Sequence, residues 1–330
     1  MKGTAVVRSI SALTLVLAGL TASPVAIAQS AATYPTKPIR LITPFAAGAT
    51  TDVLSRIISE KMSADWGQPV LVDNKPGVAG MIGTDLVAKA SPDGYTIVNV
   101  ISSHVVHKDL VKDVPFDALK DFEPVILLAR TPLALVVSPK LGVSTVQEFV
   151  AYARKNPGKL GYGTSGVGSA VHLTMEQFKQ EAGIDVQHVP YKGGAPALQD
   201  LLGGHVLVVM SGLFTVTPAL QAGQIKALFV TSAKRSPLFP DIPTAQEVGF
   251  PGFVADEWWG ILAPKGTPPA VVAKLNEEIA KIFNQPDVKA KSEKLGIEFI
   301  GSTPAEFGEF LRKESDRGSA VLRKAGVKPE

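Results

Sequence analysis

The sequence predicts an α/β fold of two lobes with a ligand cleft between them. Strand and helix patterns alternate from Ile39 to the last residues, which is typical of α/β lobes with mainly parallel sheets. About 300 residues follow an apolar leader, which is more than one hydrophobic core usually organises. Two loops of small and hydroxyl residues each follow a predicted strand, and ligands of open α/β sheets bind at such strand ends.

The first 28 residues have the pattern of an export signal. Lys2 and Arg8 accompany the apolar stretch Ile10–Leu20, and Ala26-Ile27-Ala28 is a small-x-small cleavage site. This stretch is shorter than the ~20 apolar residues of a membrane span. The chain has no cysteine, so it has neither a disulfide nor a lipid-bearing cysteine. We expect a soluble periplasmic chain that begins near Gln29 and has no lipid anchor.

The charge balance points to no highly charged partner. The chain has 33 basic and 30 acidic residues, and loss of Lys2 and Arg8 with the leader leaves 31 and 30. No basic stripe is interleaved with aromatic residues, which disfavours nucleic acid as a ligand. We expect a monomer that needs no cofactor.

The first lobe is predicted as strands separated by helices. Its predicted elements are the strand Ile39–Phe45, the helix Thr51–Trp66, the strand Val70–Asn74, the helix from Met81 to about Ala90 and the strand Tyr95–Ile101. Two apolar strands follow, at 123–129 and 133–138. Thr131-Pro132 separates them, and this break suggests a crossing between lobes.

The second lobe continues the alternation. Its first helix begins at a possible capping box of Ser144 and Gln147 and ends at Asn156-Pro157-Gly158. Its predicted strands are Leu160–Gly163, Val186–Pro190, Val206–Met210 and Ile225–Thr231.

The chain is predicted to return to the first lobe through the apolar strand Glu257–Ala263. The tail is helical, with Thr267 before Pro268 as one cap and Thr303 with Glu306 as a capping box. The predicted division is therefore 1–28 as signal peptide, 29–130 plus 254–330 as lobe 1, and 131–253 as lobe 2.

The two loops are candidate anion sites, which we name the first cradle (Pro44–Asp52) and the second cradle (Gly163–His172). In each, a strand leads into a helix N-terminus, where backbone N–H groups and the helix dipole favour an anion. The alternative is an ordinary turn, with Thr50 or Thr51 capping the first helix and a flexible Gly-rich link in the second.

Several longer strings resemble one family. They are YPTKPIRLITPF (34–45), GQPVLVDNKPGVAG (67–80), SPDGYT (91–96), LKDFEPV (119–125), HVPYKGGAPALQDLLGG (188–204), VTSAKRSP (230–237) and EWWGILAPKGTP (257–268). In this order they resemble the substrate-binding receptors of tripartite tricarboxylate transporters, the Bug-type family. The resemblance implies a two-lobed type II periplasmic binding-protein fold. It also implies a receptor, not an enzyme, that closes on a small organic carboxylate and delivers it to membrane subunits.

The resemblance also implies the ligand-binding residues. They are Phe45, Ala46, Ala47, Gly48, Ala49, Thr50 and Thr51 with Asp52 orienting the loop; Ser165, Gly166, Ser169 and Ala170 with His172 behind them; and the walls Ser102-Ser103-His104 and Ser211-Gly212. Alternation along the return strand directs one of Trp258 and Trp259 to the cleft, and we assign Trp259 to it. Lys192 is the nearest basic candidate for a second carboxylate, with a surface role as the alternative.

Three departures from the family pattern leave the ligand open. Ala46, Ala47 and Ala49 replace two prolines and a glycine, Ser211 stands where many members have Asp, and Ala79-Gly80-Met81 replaces Gly-Gly-Asn. Loss of the Asp weakens the case for an amino-group ligand. A di- or tricarboxylate, an aromatic acid and a nicotinate-like acid all fit.

Other function classes fit the residues less well. A secreted ester or amide hydrolase needs a nucleophile, and neither Ser165 nor Ser169 lies in a G-x-S-x-G elbow. The string G-x-G-x-x-G at 161–166 could indicate a dinucleotide fold, but Asp185 precedes the next strand instead of ending it.

A metal site and a sensor role are two further alternatives. His104, His107 and Asp109 could hold a metal, but a solvated loop is the simpler interpretation, and we expect no metal. A carboxylate sensor for a membrane signalling partner would have the same fold.

Overall fold

The structure is a computed structural model that describes residues 33–294 and 296–329, so the expected signal peptide lies outside the described residues. Its strands are β1 (Ile39–Thr43), β2 (Val70–Asn74), β3 (Thr96–Ile101), β4 (Phe122–Val137), β5 (Gly161–Thr164), β6 (Gln187–Pro190), β7 (Val208–Gly212), β8 (Lys226–Val230), β9 (Asp256–Pro264) and β10 (Glu298–Phe299). Its α-helices are α1 (Thr50–Trp66), α2 (Met81–Ala88), α3 (His107–Leu110), α4 (Val146–Lys155), α5 (Ala170–Ala182), α6 (Gly194–Gly203), α7 (Leu213–Gln221), α8 (Pro269–Phe283), α9 (Pro286–Lys294) and α10 (Pro304–Lys324). Apart from β4, the strands and helices whose bounds were predicted are confirmed to within about two residues. In the described part of the chain, no helix is long and apolar enough to cross a membrane.

The strands form a mixed sheet path in the order β2-β1-β3-β9-β4-β7-β5-β6. β1 pairs in parallel with β2 and β3, and β5 pairs in parallel with β6 and β7. Every pairing that β4 or β9 makes is antiparallel. The expectation of mainly parallel sheets is therefore wrong, because the strands that cross between the lobes run against their neighbours.

The crossing to the second lobe is one long strand, not two. β4 continues through Thr131 and Pro132, which pair with Glu257 and Asp256 of β9. Just beyond, Leu133 begins the pairing with β7. Pro132 therefore lies where β4 exchanges one partner strand for another, and its missing N–H costs little at such a junction.

Helices cover both faces of each half of the sheet. In the first half, α1 and α8 supply Leu54 and Leu275 to one core cluster, and α2 and α10 supply Val87 and Phe307 to another. In the second half, α4 and α5 pack on one face and α6 and α7 on the other. This arrangement gives two three-layer α/β lobes, and the boundaries at 130/131 and 253/254 stay a proposal.

The helix caps confirm one prediction and correct two. Thr303 and Glu306 form the expected capping box of α10. The capping box of α4 uses Thr145 and Glu148, one residue later than predicted, because the Glu148 carboxylate accepts from the backbone there. Thr267 does not cap α8, since its hydroxyl donates to a preceding carbonyl and Pro268 is the N-cap.

Candidate functional site

The first cradle is held in shape by the buried carboxylate of Asp52. Its Oδ2 accepts from Gly48 N–H and from Arg56 Nε, both at 2.9 Å, and its Oδ1 accepts from Asn74 Nδ2 at 3.0 Å. Asn74 also donates to the carbonyl of Phe45 at 3.0 Å. Burial acts to raise the pKa of Asp52, but the hydrogen bonds from Arg56, Gly48 and Asn74 outweigh it and hold that pKa below its usual range. The ionised carboxylate therefore fixes the loop from behind.

The N-terminus of α1 has no side-chain cap. The N-cap is Ala49, which is extended at φ −67° and ψ 159°. The alternative that Thr50 or Thr51 caps this helix is therefore wrong, because both lie inside it. The first N–H groups of a helix have no carbonyl partner within it. Together with the helix dipole, this leaves the first cradle suited to an anion.

Trp259 reaches the first cradle from the return strand. Its Nε1 donates to Thr51 Oγ1 at 3.2 Å, and both residues are buried. Trp258 points to the opposite face of β9 and packs edge-on against Phe307 and Phe310. Both tryptophans are core residues, and Trp259 supports the cradle through Thr51.

The N-terminus of α5, in the second cradle, is already capped from both lobes. Ser169 Oγ accepts from His172 N–H at 3.3 Å and donates to the carbonyl of Gly166 at 2.7 Å. Ser102 of the first lobe accepts from Ala170 N–H at 2.8 Å. The second cradle therefore offers fewer unpaired donors than the first.

Two stacked imidazoles support the second cradle from behind. His172 Nδ1 accepts from Gly168 N–H at 3.1 Å, and its ring stacks on His188 with centroids 4.0 Å apart. His188 Nε2 lies 2.6 Å from Thr164 Oγ1. Burial lowers the pKa of His172 to about 4 and that of His188 to about 3. Both rings are therefore neutral at pH 7.

This stack predicts that acid destabilises the fold. His172 in the folded chain gains its proton near pH 4, whereas an unfolded histidine gains it near pH ~6.5. Between these values the unfolded chain binds more protons, so the free energy of unfolding falls as the pH falls, by up to ~1.4 kcal/mol per pH unit per group. Urea denaturation between pH 7 and pH 4 measures the slope, which should become shallower in His172→Phe. An equal slope in both proteins would contradict the contribution of His172.

His104 and His107 are buried, which corrects the expectation of a solvated loop. They are 1% and 2% exposed, and their Nε2 atoms face the carbonyls of Ala118 at 3.0 Å and Ala79 at 3.1 Å. Asp109 accepts instead from a hydroxyl of α10. Among residues 33–294 and 296–329, no group of three or more His, Cys, Asp or Glu side chains is placed to hold a metal ion.

The remaining predicted site residues lie at separate places around the cradles. Ser103 is buried, and its hydroxyl donates to a backbone carbonyl. Ser165 is half-buried just after β5, and Ser211 is buried near the end of β7. Lys192 is exposed, as its surface alternative predicted.

Three contacts join the lobes beside the cradles. Ser102 follows β3, which lies next to β1, and bonds to Ala170 of the second lobe. The side chain of Leu110 lies against Gly168 of the second cradle. Phe214 of α7 packs on the core of the first lobe. The second cradle therefore lies at the interface between the lobes, beside the segment 102–110 that follows β3, and a cleft shared by both cradles stays a prediction.

Sequence reasoning missed Glu257. This half-buried residue precedes Trp259 by two positions on β9, so the two share a face. Burial raises its pKa to about 7. The signal in the sequence was an acid at the start of the predicted strand Glu257–Ala263, which is otherwise apolar.

The chain is similar to known proteins over most of its length. The family described as "Tripartite tricarboxylate transporter family receptor" matches residues 54–327. Protein BugT of Bordetella pertussis is 36% identical over 301 residues, which cover 91% of this chain and 92% of BugT.

Two solved structures with bound acids are similar over nearly the whole fold. R. palustris Rpa4515 with adipate has a TM-score of 0.84 and 37% identity, covering 90% of this chain and 100% of that one. MatC from Rhodopseudomonas palustris with bound malate has a TM-score of 0.81 and 31% identity, covering 88% and 100%. The expected periplasmic binding-protein fold is confirmed. This chain belongs to the receptor family of the tripartite tricarboxylate transporters.

Proposed function

We propose that this protein is a periplasmic receptor that binds a small organic carboxylate between its lobes and delivers it to the membrane subunits of a tripartite transporter. The observation that carries the proposal is the first cradle. Its helix N-terminus has no side-chain cap, and the buried Asp52 fixes its loop. A carboxylate bound there takes hydrogen bonds from N–H groups that otherwise have only water as a partner.

The ligand class follows from the hydrogen-bond donors of the cradles and from the relatives. The described cradles contain no buried cation, so backbone N–H groups and hydroxyls are the donors for the acid. Since Rpa4515 is described with adipate and MatC with malate, dicarboxylates are the first class to test. Ser211 offers a hydroxyl, so the ligand needs no amino group for this position.

The first experiment is native mass spectrometry of protein purified without refolding, followed by release and identification of any bound small molecule. Isothermal titration with adipate, malate, benzoate and nicotinate follows. A co-purified carboxylate, or saturable binding of one of these acids, supports the proposal. Failure of every acid in a broad panel would remove the receptor function.

We propose that closure depends on the contact between Ser102 and Ala170. Ser102→Ala leaves the buried Ala170 N–H without an acceptor in the closed state alone, and such a loss costs ~1 to 3 kcal/mol. Because the ligand binds the closed state, its affinity should fall about fivefold to a hundredfold. Titration measures the loss, and small-angle scattering should show less compaction at the same adipate concentration.

The matched control for Ser102→Ala is Thr145→Ala. It removes the side-chain acceptor at the N-terminus of α4 without touching the cradles. It should lower stability and leave affinity unchanged. Equal affinity in Ser102→Ala and wild type would rule out this contact as part of closure.

Transport, sensing and hydrolysis are separated by further measurements. Reconstitution with the two membrane subunits should give uptake that depends on the receptor, whereas a sensor would bind the same acid without supporting uptake. A hydrolase would turn over a generic ester and lose turnover in Ser165→Ala.

A further inference from the structure

The turn 77–80, between β2 and α2, has a strained backbone. Its four residues have positive φ values of 141° at Gly77, 44° at Val78, 52° at Ala79 and 94° at Gly80. Glycine adopts such values freely, but valine and alanine do so at a cost in free energy that surrounding contacts must supply. Val78 is 52% exposed, so its own packing contributes little. Other residues must hold the turn.

Two buried side chains hold it through one carbonyl. The carbonyl of Ala79 accepts from Ser103 Oγ at 2.8 Å and lies 3.1 Å from His107 Nε2. A carbonyl only accepts hydrogen bonds. We therefore assign the hydrogen of the neutral His107 ring to Nε2, which faces the carbonyl of Ala79. Burial lowers the pKa of His107, which keeps the ring neutral. Both donors lie in the segment 102–110 that follows β3.

The turn and the start of α2 pack against the beginning of the first cradle. A Cβ atom on Gly80 would lie 3.1 Å from Phe45 Cζ, and one on Gly83 would lie 2.9 Å from Pro44 Cβ. The fit is therefore too close for an added methyl group at either position without a shift of the cradle. Movement of the turn would be transmitted directly to Phe45.

The segment that holds the turn also contacts the second lobe. Ser102, adjacent to Ser103, accepts from Ala170 N–H at 2.8 Å. The same segment presents Leu110 to Gly168 of the second cradle. One short segment thus touches the strained turn on one side and the second lobe on the other.

We propose that Ser103 and His107 are positioning residues that hold the strained turn 77–80 as a wall of the carboxylate site. They act through the carbonyl of Ala79, so Ser103 does not use its hydroxyl hydrogen for the ligand. The inference rests on the proposed function. It also links the two lobes. When the second lobe approaches, its contact with Ser102 fixes the segment 102–110, and this segment sets the shape of the first cradle.

The test measures the affinity for adipate, with malate as a second probe, and the thermal midpoint of each variant. Ser103→Ala and His107→Phe should each weaken binding about tenfold, because the turn relaxes and the cradle loses its shape. His107→Gln retains an N–H donor near the position of Nε2 and should stay within about threefold of wild type.

Ser315→Ala is the matched control. Its hydroxyl donates to the carbonyl of Val105 at 3.1 Å, so it removes a buried serine bond to the same segment away from the turn. It should lower the thermal midpoint and leave the affinity for adipate unchanged.

Val78→Gly tests the strain directly. It removes the cost of the positive φ at this position, so it should raise the thermal midpoint and reduce the loss caused by Ser103→Ala from about tenfold to threefold or less. The same loss with and without Val78→Gly, or unchanged affinity in Ser103→Ala and His107→Phe, would overturn the inference while wild-type binding upholds the proposed function. If wild type binds neither probe nor any acid of the panel, both fail.

Discussion

Replacement of Asp52 with alanine should weaken carboxylate binding by about 100-fold or more. The substitution leaves Gly48 N–H and the Asn74 amide without their acceptor, and each hydrogen bond to a charged group contributes ~1.5 to 3 kcal/mol. Two such losses weaken the affinity at least 100-fold when both hydrogen bonds hold the cradle in the shape that binds the ligand. Part of the loss should also reduce the free energy of unfolding, because the carboxylate is buried.

Titration with adipate and urea denaturation separate these two effects. Arg56→Ala is the control, since it removes the other partner of Asp52 while the cradle retains its acceptor. The Arg56 side chain is 58% exposed, so its ion pair should contribute only ~0 to 1 kcal/mol. Near-equal affinity of Asp52→Ala and wild type would show that the cradle is not the binding site.

Asp52 also shows why much of the first cradle could be predicted from the sequence. The strand before it is a short apolar run, the loop consists of small residues, and an acid in the first turn of a helix is locally favourable. All of these signals lie within the 14 residues from Ile39 to Asp52. Local patterns of this kind also predicted most strand and helix bounds.

The contacts that complete the site have no such local signal. Ser102 and Ala170 are 68 residues apart, and neither residue type predicts that one caps the other across the cleft. Val78 and Ala79 are not residues that favour positive φ, so the strained turn depends on donors from a distant segment. The sequence predicts a solvated loop at His104 and His107 because the spacing of polar residues does not reveal burial between neighbouring elements.

The continuity of β4 was hidden for a related reason. Proline normally interrupts a strand, and the local pattern at Thr131-Pro132 therefore predicted two strands. The position tolerates proline because partner strands change there, which is a property of the tertiary sheet. At this position the arrangement of the sheet, and not the tendency of proline to interrupt a strand, determines the structure.

Gly168→Ala should reduce the affinity for adipate about tenfold, because it obstructs the approach of the lobes. Gly168 has φ +75°, and an added Cβ would overlap the side chain of Leu110 in the first lobe. Alanine in this backbone region costs ~1 to 2 kcal/mol by itself. That backbone cost applies in the open and closed states alike, whereas displacement of Leu110 applies only in the closed state. The displacement therefore disfavours the closed state and weakens binding of the ligand.

A matched substitution separates the two causes. Gly142 also has φ +75°, but no heavy atom lies within 4 Å of its added Cβ, so Gly142→Ala has the backbone cost without the obstruction. It should lower stability and leave affinity unchanged. Leu110→Ala combined with Gly168→Ala should recover part of the affinity, since space returns while the strain stays. If the double variant binds no better than Gly168→Ala, contact between these two loops does not limit closure, and the effect of Gly168 is local to the second cradle.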